Sequence, residues 1–254
     1  MTTPAPSPEG CPNCGARRAG RFCAECGQDN ARARLELRAI VLSGIHSMLG
    51  WDTALGRTLR ELARAPGRLA AEYASGRRRR YVNPARFCLF ALALWLLLTR
   101  AVGLDAFDQT GMRITSSSAD PDHDPTAAVR AFVETHLDVL LYLTLPLRAV
   151  WLRVFFRRSS RNVAENLVLV FYVSAFGYLL GVLCTPLHVL GWTWATPLRQ
   201  FITLGWLVWA AHDFHRRGWF ATAWRTCAAA LLHAFSTVLV IAAITIPWIL
   251  LTGG

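Results

Sequence analysis

The chain has 254 residues, 54% of them hydrophobic, with 27 basic and 16 acidic side chains and a net charge of +11. That apolar content, with a mean hydropathy of +0.32, exceeds the roughly 45–50% of ordinary soluble domains and points to a membrane protein. Histidine aside, every basic residue is arginine, so lysine Schiff bases and lysine-bearing phosphate loops are excluded.

Residues 1–10, MTTPAPSPEG, carry neither a basic region nor an apolar core, so they read as a disordered start rather than a cleavable signal peptide. Residues 11–28 follow as CPNCGARRAGRFCAECGQ. Cys11, Cys14, Cys23 and Cys26 form two C-x-x-C pairs, and two intervening residues let both sulfurs of a pair reach one ion at roughly 2.3 Å. Gly15 and Gly27 follow the pairs, where a positive φ turns backbone N–H groups toward the thiolates. The segment predicts a zinc ribbon. Four thiolates close the coordination sphere, so the expected cofactor is one structural zinc ion that supplies folding energy to a segment too short for a core. The competing reading, a disulfide framework, needs an oxidising compartment. Arg17, Arg18 and Arg21 lie in the ribbon, but without a further recognition element nucleic acid is not an expected partner. Cys88, Cys184 and Cys227 stand in apolar stretches and read as small buried hydrophobes.

Residues 31–86 predict a cytoplasmic amphipathic block. Leu35, Leu42, Ile45 and Leu49 form one helical stripe. Asp52 is placed to cap a second helix whose Leu55, Leu59 and Leu62 share a face. Pro66 can start a third helix and Gly76 can end it. Arg77, Arg78, Arg79 and Arg80 come next and are expected to contact the headgroups of an anionic inner leaflet, each contributing about 1 kcal/mol. Tyr81 suits the interface, and Pro84 ends the step into the first span.

Residues 87–254 form the predicted transmembrane domain. Five apolar stretches, 87–104, 139–156, 163–184, 198–214 and 226–251, each approach the roughly 20 residues that cross a hydrocarbon core. The expected fold class is therefore an all-α polytopic membrane protein of about five transmembrane helices with a small N-terminal zinc ribbon. Trp192 and Trp194 fit an aromatic belt ahead of the fourth span. Fifteen arginines precede the first span, and Arg153, Arg157, Arg158, Arg161, Arg216, Arg217 and Arg225 mark the second–third and fourth–fifth connections. The loop 105–137 instead carries Asp105, Asp108, Asp120, Asp122, Asp124 and Glu134 against two arginines. The positive-inside rule places the N-terminus in the cytoplasm and the C-terminus outside. A reducing cytoplasm favours zinc over disulfides in the ribbon.

The stretch LRELARAPGRLAAEYASGRRRRYVNPARFCLFALAL resembles the hallmark segment of a bacterial integral-membrane family of unknown function, whose members carry a double-CxxC zinc ribbon and several spans. The family pattern T-L-x-x-L, P-G, Y, G-x-R-x-x-Y-x-x-P falls on Thr58, Leu59, Leu62, Pro66, Gly67, Tyr73, Gly76, Arg78, Tyr81 and Pro84. The likeness covers roughly residues 11–100 and continues weakly into the third span. In that family an arginine often precedes the P-G, where Ala65 stands here. A histidine often follows the third-span glutamate; Asn166 stands here, which weighs against a metal or proton role at that point. The resemblance implies the bacterial inner membrane and no activity.

Ionisable groups within spans are functional candidates. They are Arg148, Glu165, His212, Asp213, His215 and His233; His212 and His215 share a helical face and, with Glu165, have the donor types of a second metal site. No H-E-x-x-H, phosphate loop or G-x-S-x-G triad is present, so the chain matches no familiar enzyme template. Three readings follow. The first is a non-enzymatic scaffold or sensor whose ribbon and amphipathic helices engage a protein partner or the membrane surface. The second is a small transporter or channel acting as a homo-oligomer, and the third an intramembrane enzyme. Few charges within the spans and no detectable inverted repeat favour the first.

Overall fold

A computed structural model describes residues 10–17, 22–28, 51–105, 107–110 and 125–252. The expected stripe Leu35–Leu49, Arg18 and Arg21, and the acids Asp120–Asp124 lie outside them. The described helices are α1 (Trp51–Arg64), α2 (Pro66–Ala74), α3 (Pro84–Ala101), α4 (Pro125–Thr135), α5 (Leu137–Leu143), α6 (Leu145–Phe155), α7 (Val163–Val189), α8 (Ala195–His215) and α9 (Trp219–Thr252), with a single 3-10 turn at Asp108–Thr110. Among the described residues the extended pairing includes one isolated antiparallel bridge, Gly10 with Arg17.

Helix α7 is the axis of the bundle. It is apolar on every side, and such a helix is stable only when surrounded. Every residue from Asn166 to Ala175 is buried, enclosed by α2, α3, α6 and α8. Its start is fixed locally by a capping box. The Asn162 side chain accepts from the Glu165 N–H at 2.8 Å, and Glu165 accepts from the Asn162 N–H at 3.0 Å. Helix α9 is at the periphery: 17% of its most apolar window is buried, against 61% for α7. Leu231, Phe235, Val238 and Ile246 of α9 face outward, as lipid-facing side chains do.

Among the described residues three helices are long and apolar enough to cross a membrane: α3, α7 and residues Trp219–Trp248 of α9. The two other stretches expected to span differ for identifiable reasons. Residues 139–156 divide between α5 and α6 at Thr144. Pro146 has no N–H to give the preceding turn and breaks the helical ladder there. Helix α8 has 21 residues, about 31 Å of rise, but Arg199, Gln200, His212, Asp213 and His215 dilute its apolar character.

The connections gather at two ends. At one, Arg217 of the α8–α9 turn donates to the Arg158 carbonyl of the α6–α7 turn at 3.3 Å. There His215 stacks on Phe156 at 4.1 Å and Arg161 lies 4.7 Å from the Phe214 ring centroid. At the other, Arg199 and Gln200 at the start of α8 donate to the carbonyls of Gln109 and Thr110, beyond the end of α3.

Around α1 and α2 the structure corrects three local expectations. Helix α1 already includes Asp52, which therefore sits in its first turn rather than ahead of it. Thr58, not Leu59, completes the inward face with Leu55 and Leu62: Thr58 is fully buried and Leu59 is 40% exposed. Tyr81 is buried and donates to Glu72 at 2.7 Å instead of meeting an interface. Pro66 and Gly76 bound α2 as expected, with Gly76 at φ +109°.

Helix α2 crosses α8 at Gly67, where a Cβ would lie 2.3 Å from the Ala210 carbonyl oxygen and 2.9 Å from the Phe214 nitrogen. Both neighbours are backbone and cannot step aside. Gly67→Ala should therefore lower stability by about 1–3 kcal/mol through overpacking. Gly56→Ala, on an open face of α1, should raise it by up to about 1 kcal/mol. Thermal unfolding of both variants in one detergent checks the opposite signs; equal midpoints would refute the close crossing.

Candidate metal centre and arginine loop

The two cysteine pairs build the same turn twice. In the first, the Gly15 N–H donates to the Cys11 carbonyl at 2.8 Å and the Cys11 N–H to the Ala16 carbonyl at 2.7 Å. In the second, twelve residues on, Gly27 donates to Cys23 and Cys23 to Gln28, both at 2.8 Å. Gly15 and Gly27 take φ values of +81° and +66°, which a side chain would strain.

All four sulfurs lie within 4.8 Å of one another. Cys11 and Cys26 are 3.7 Å apart and Cys14 and Cys23 3.6 Å. A tetrahedron of thiolates each roughly 2.3 Å from a central ion has edges of about 3.8 Å, whereas a disulfide needs about 2.05 Å. All four are free thiols. The Cys26 backbone N–H points at Cys23 and, against the effect of desolvation, lowers its pKa to about 7. The residues thus fit a metal ion, and Cys11, Cys14, Cys23 and Cys26 are the ones that can hold it.

The cysteine cluster is docked, and sequence reasoning missed where. It rests on the loop between α2 and α3, residues 75–83. The Gln28 side chain, 4% exposed, accepts the Arg79 N–H at 3.2 Å. The Arg79 guanidinium lies against Gly27, so closely that a Cβ there would sit 2.2 Å from Nη2. Pro12 packs on Gly76, with a Cβ-equivalent distance of 3.2 Å. No spacing or periodicity signals such contacts between segments more than 50 residues apart.

The loop is itself held from inside. Thr58 Oγ1 accepts the Val82 N–H at 3.0 Å, and the Tyr172 hydroxyl donates to the Val82 carbonyl at 2.7 Å. Tyr172 also packs edge-on against Tyr73 at 6.0 Å. Asn83 caps α3 by accepting from Ala85 and Arg86.

The four arginines of the loop separate. Arg77 reaches Glu72 at 3.6 Å. Arg78 is half-buried. Arg79 and Arg80 are exposed; Arg79 covers Gly27, and Arg80 lies 5.8 Å from the Tyr81 ring centroid.

The remaining candidates do not assemble. His212 pairs with Asp213 at 3.0 Å and stacks on Trp219 at 4.0 Å. His215 stacks on Phe156, and Glu165 is engaged in the capping box. Among the described residues the cysteine cluster is the one group of three or more such ligands close enough to share an ion. Arg148 and His233 lie on α6 and α9, which pack together, and the Arg148 Nε and His233 Nδ1 are buried without a hydrogen-bond partner. Cys88 and Cys184 are buried, as their apolar surroundings suggest, whereas Cys227 is only half-buried.

The described residues thus define a helical protein with three helices able to span a membrane and a four-cysteine cluster able to hold a metal. Residues 52–96 match the model of a family described as a protein of unknown function, DUF3667. That stretch holds α1, α2, the arginine loop and most of α3, and the chain is similar to the family there. No curated protein and no solved structure matches the chain.

Thr58→Val and Tyr172→Phe each leave a buried backbone group of Val82 unsatisfied. Each should cost about 1–3 kcal/mol. Because both act on one residue, the double variant should cost less than the sum. Thermal unfolding in detergent measures this cycle; strict additivity would show that the two bonds do not cooperate in fixing the loop.

Proposed function

We propose that this chain is a multi-pass protein of the bacterial inner membrane, with one structural zinc ion held by Cys11, Cys14, Cys23 and Cys26. Its ribbon, α1, α2 and arginine loop form a single cytoplasmic platform, and the protein acts as a non-enzymatic scaffold or sensor. One observation carries this reading: the metal turn is seated on the loop that leads directly into the first membrane-spanning helix. A ribbon held there cannot move independently of α3. Whatever the platform engages is thereby placed at a fixed position beside the bilayer, which is the property a scaffold needs.

Zinc is favoured by the ligand set, four thiolates at tetrahedral spacing. Five spans and a cytoplasmic N-terminus are favoured by the gathering of connections at two ends. The turns bearing Arg157, Arg158, Arg161, Arg216 and Arg217 meet at one end, where α2 also crosses α8. The end of α3 and the start of α8 meet at the other. Residues 125–155 and α8 then run the height of the bundle as α3, α7 and α9 do. Arginine-rich turns on a common side are what the positive-inside rule requires. On that side the exposed members of the run Arg77–Arg80, Arg79 and Arg80, meet an anionic leaflet.

Two measurements test the reading. Full-length protein in detergent should carry one zinc per chain by elemental analysis, and the double substitution Cys11→Ser, Cys14→Ser should abolish it. Zinc displaces protons from thiols, so occupancy should fall as pH falls. Absence of zinc at neutral pH would remove the metal from the proposal. For sidedness, a phosphatase active only outside the cytoplasm should work when inserted within residues 111–124 and fail between Arg217 and Gly218. The reverse pattern would overturn the orientation.

A further inference from the structure

A cleft of about 520 Å³ opens where the second metal turn meets α1 and the arginine loop, lined by Asn13, Cys26, Arg57, Arg79 and Arg80. We infer that this cleft binds a phosphate-class anion, either a lipid headgroup or a soluble phosphate. Three guanidiniums converge on it from two separate elements, Arg57 from α1 and Arg79 and Arg80 from the loop. Among the described residues none of these three pairs with a carboxylate. Nearby arginines do: Arg68 bonds Glu61 at 2.7 Å and Arg77 reaches Glu72. The arginines facing the cleft therefore still have their charge to give.

The framework behind them is fixed. The Val82 backbone is held by Thr58 and Tyr172, the Arg79 N–H by Gln28, and the Arg80 carbonyl accepts from Arg57 Nη1 at 3.5 Å. Holding the backbone reduces the ordering cost of binding. The planar fork of a guanidinium offers paired donors that match phosphate oxygens. Asn13 adds a side-chain amide to the lining, whose Nδ2 is a donor type an anion accepts from. Cys26 on one wall brings negative charge. Four thiolates and one Zn²⁺ sum to −2, against +3 from the guanidiniums, which leaves the cleft positive. The site rests on the zinc reading for that wall but not on the sidedness of the membrane part.

The test uses full-length, zinc-loaded protein in a phosphate-free detergent. ³¹P NMR line broadening follows inorganic phosphate and, separately, short-chain phosphatidic acid, with short-chain phosphatidylcholine as reference. Arg57→Gln and Arg79→Gln should each weaken binding about tenfold, as expected for one lost charged hydrogen bond. Arg64→Gln, an equal charge change at an exposed site on α1 outside the cleft, should change it less than about twofold by the weak reach of screened charge. Arg57→Lys should recover part of the affinity, keeping the charge without the fork. Binding of inorganic phosphate identifies a soluble ligand; binding of phosphatidic acid alone identifies a headgroup. The inference fails if neither broadens with the unsubstituted protein, or if Arg57→Gln and Arg64→Gln behave alike. It also fails if Arg57→Gln loses zinc while phosphate binding is unchanged, since the guanidiniums would then serve only the thiolates.

Discussion

Val82 has both of its backbone groups taken by side chains, and much of the molecule follows from that. Its N–H goes to Thr58 of α1 and its carbonyl to Tyr172 of α7. A loop residue buried to this depth has no water to satisfy it, so each bond replaces a desolvation cost of about 1–3 kcal/mol. Two helices are thereby joined through a single residue. The loop cannot shift without breaking one of the bonds, and α3 begins two residues later with its own Asn83 cap and Pro84. The entry angle of α3, a helix long and apolar enough to cross a membrane, is set outside that helix.

The same loop carries the two cysteine turns. A segment of this size has almost no apolar interior, and an ion held by the four sulfurs would supply the energy that a core supplies elsewhere. Such a cage would fix shape but not location. Location comes from Gln28, Gly27 and Pro12 meeting Arg79 and Gly76. The arginine run is thus divided: Arg77 forms an ion pair, Arg79 packs on the second cysteine turn, and Arg79 and Arg80 border an open cleft. A run of like charges repels itself, and spreading its members toward a carboxylate, a thiolate cage and solvent relieves that repulsion.

At the centre, α7 shows why an evenly apolar helix belongs in a bundle axis, while α9, equally apolar, lies outside. Composition does not distinguish them. What differs is the ring of neighbours: α2, α3, α6 and α8 close around α7, and α9 leaves large side chains such as Phe235 and Leu231 exposed. In a bilayer both environments suit hydrocarbon, so order of packing, not hydropathy, decides which helix is inside.

The sequence by itself determined the four-cysteine cluster, because C-x-x-C spacing and a following glycine constrain a turn locally. It determined the helical, membrane-like character of the chain and the boundaries of α2, since hydropathy, Pro66 and Gly76 act over a few residues. It placed Tyr81 in the wrong surroundings, and it marked Thr58, Gly67 and Tyr73 through a family resemblance without saying what they do. Only the tertiary structure decided that. Thr58 is a buried acceptor, Gly67 a helix crossing, Tyr73 a partner for Tyr172, and Tyr81 a donor to Glu72 rather than an interface residue. It likewise divided residues 139–156 at Thr144 and seated the metal turns on the arginine loop. These outcomes depend on which surfaces meet across long separations in the chain. Such pairings are settled by packing and by the need to satisfy buried polar groups, neither of which has a period that a linear sequence displays.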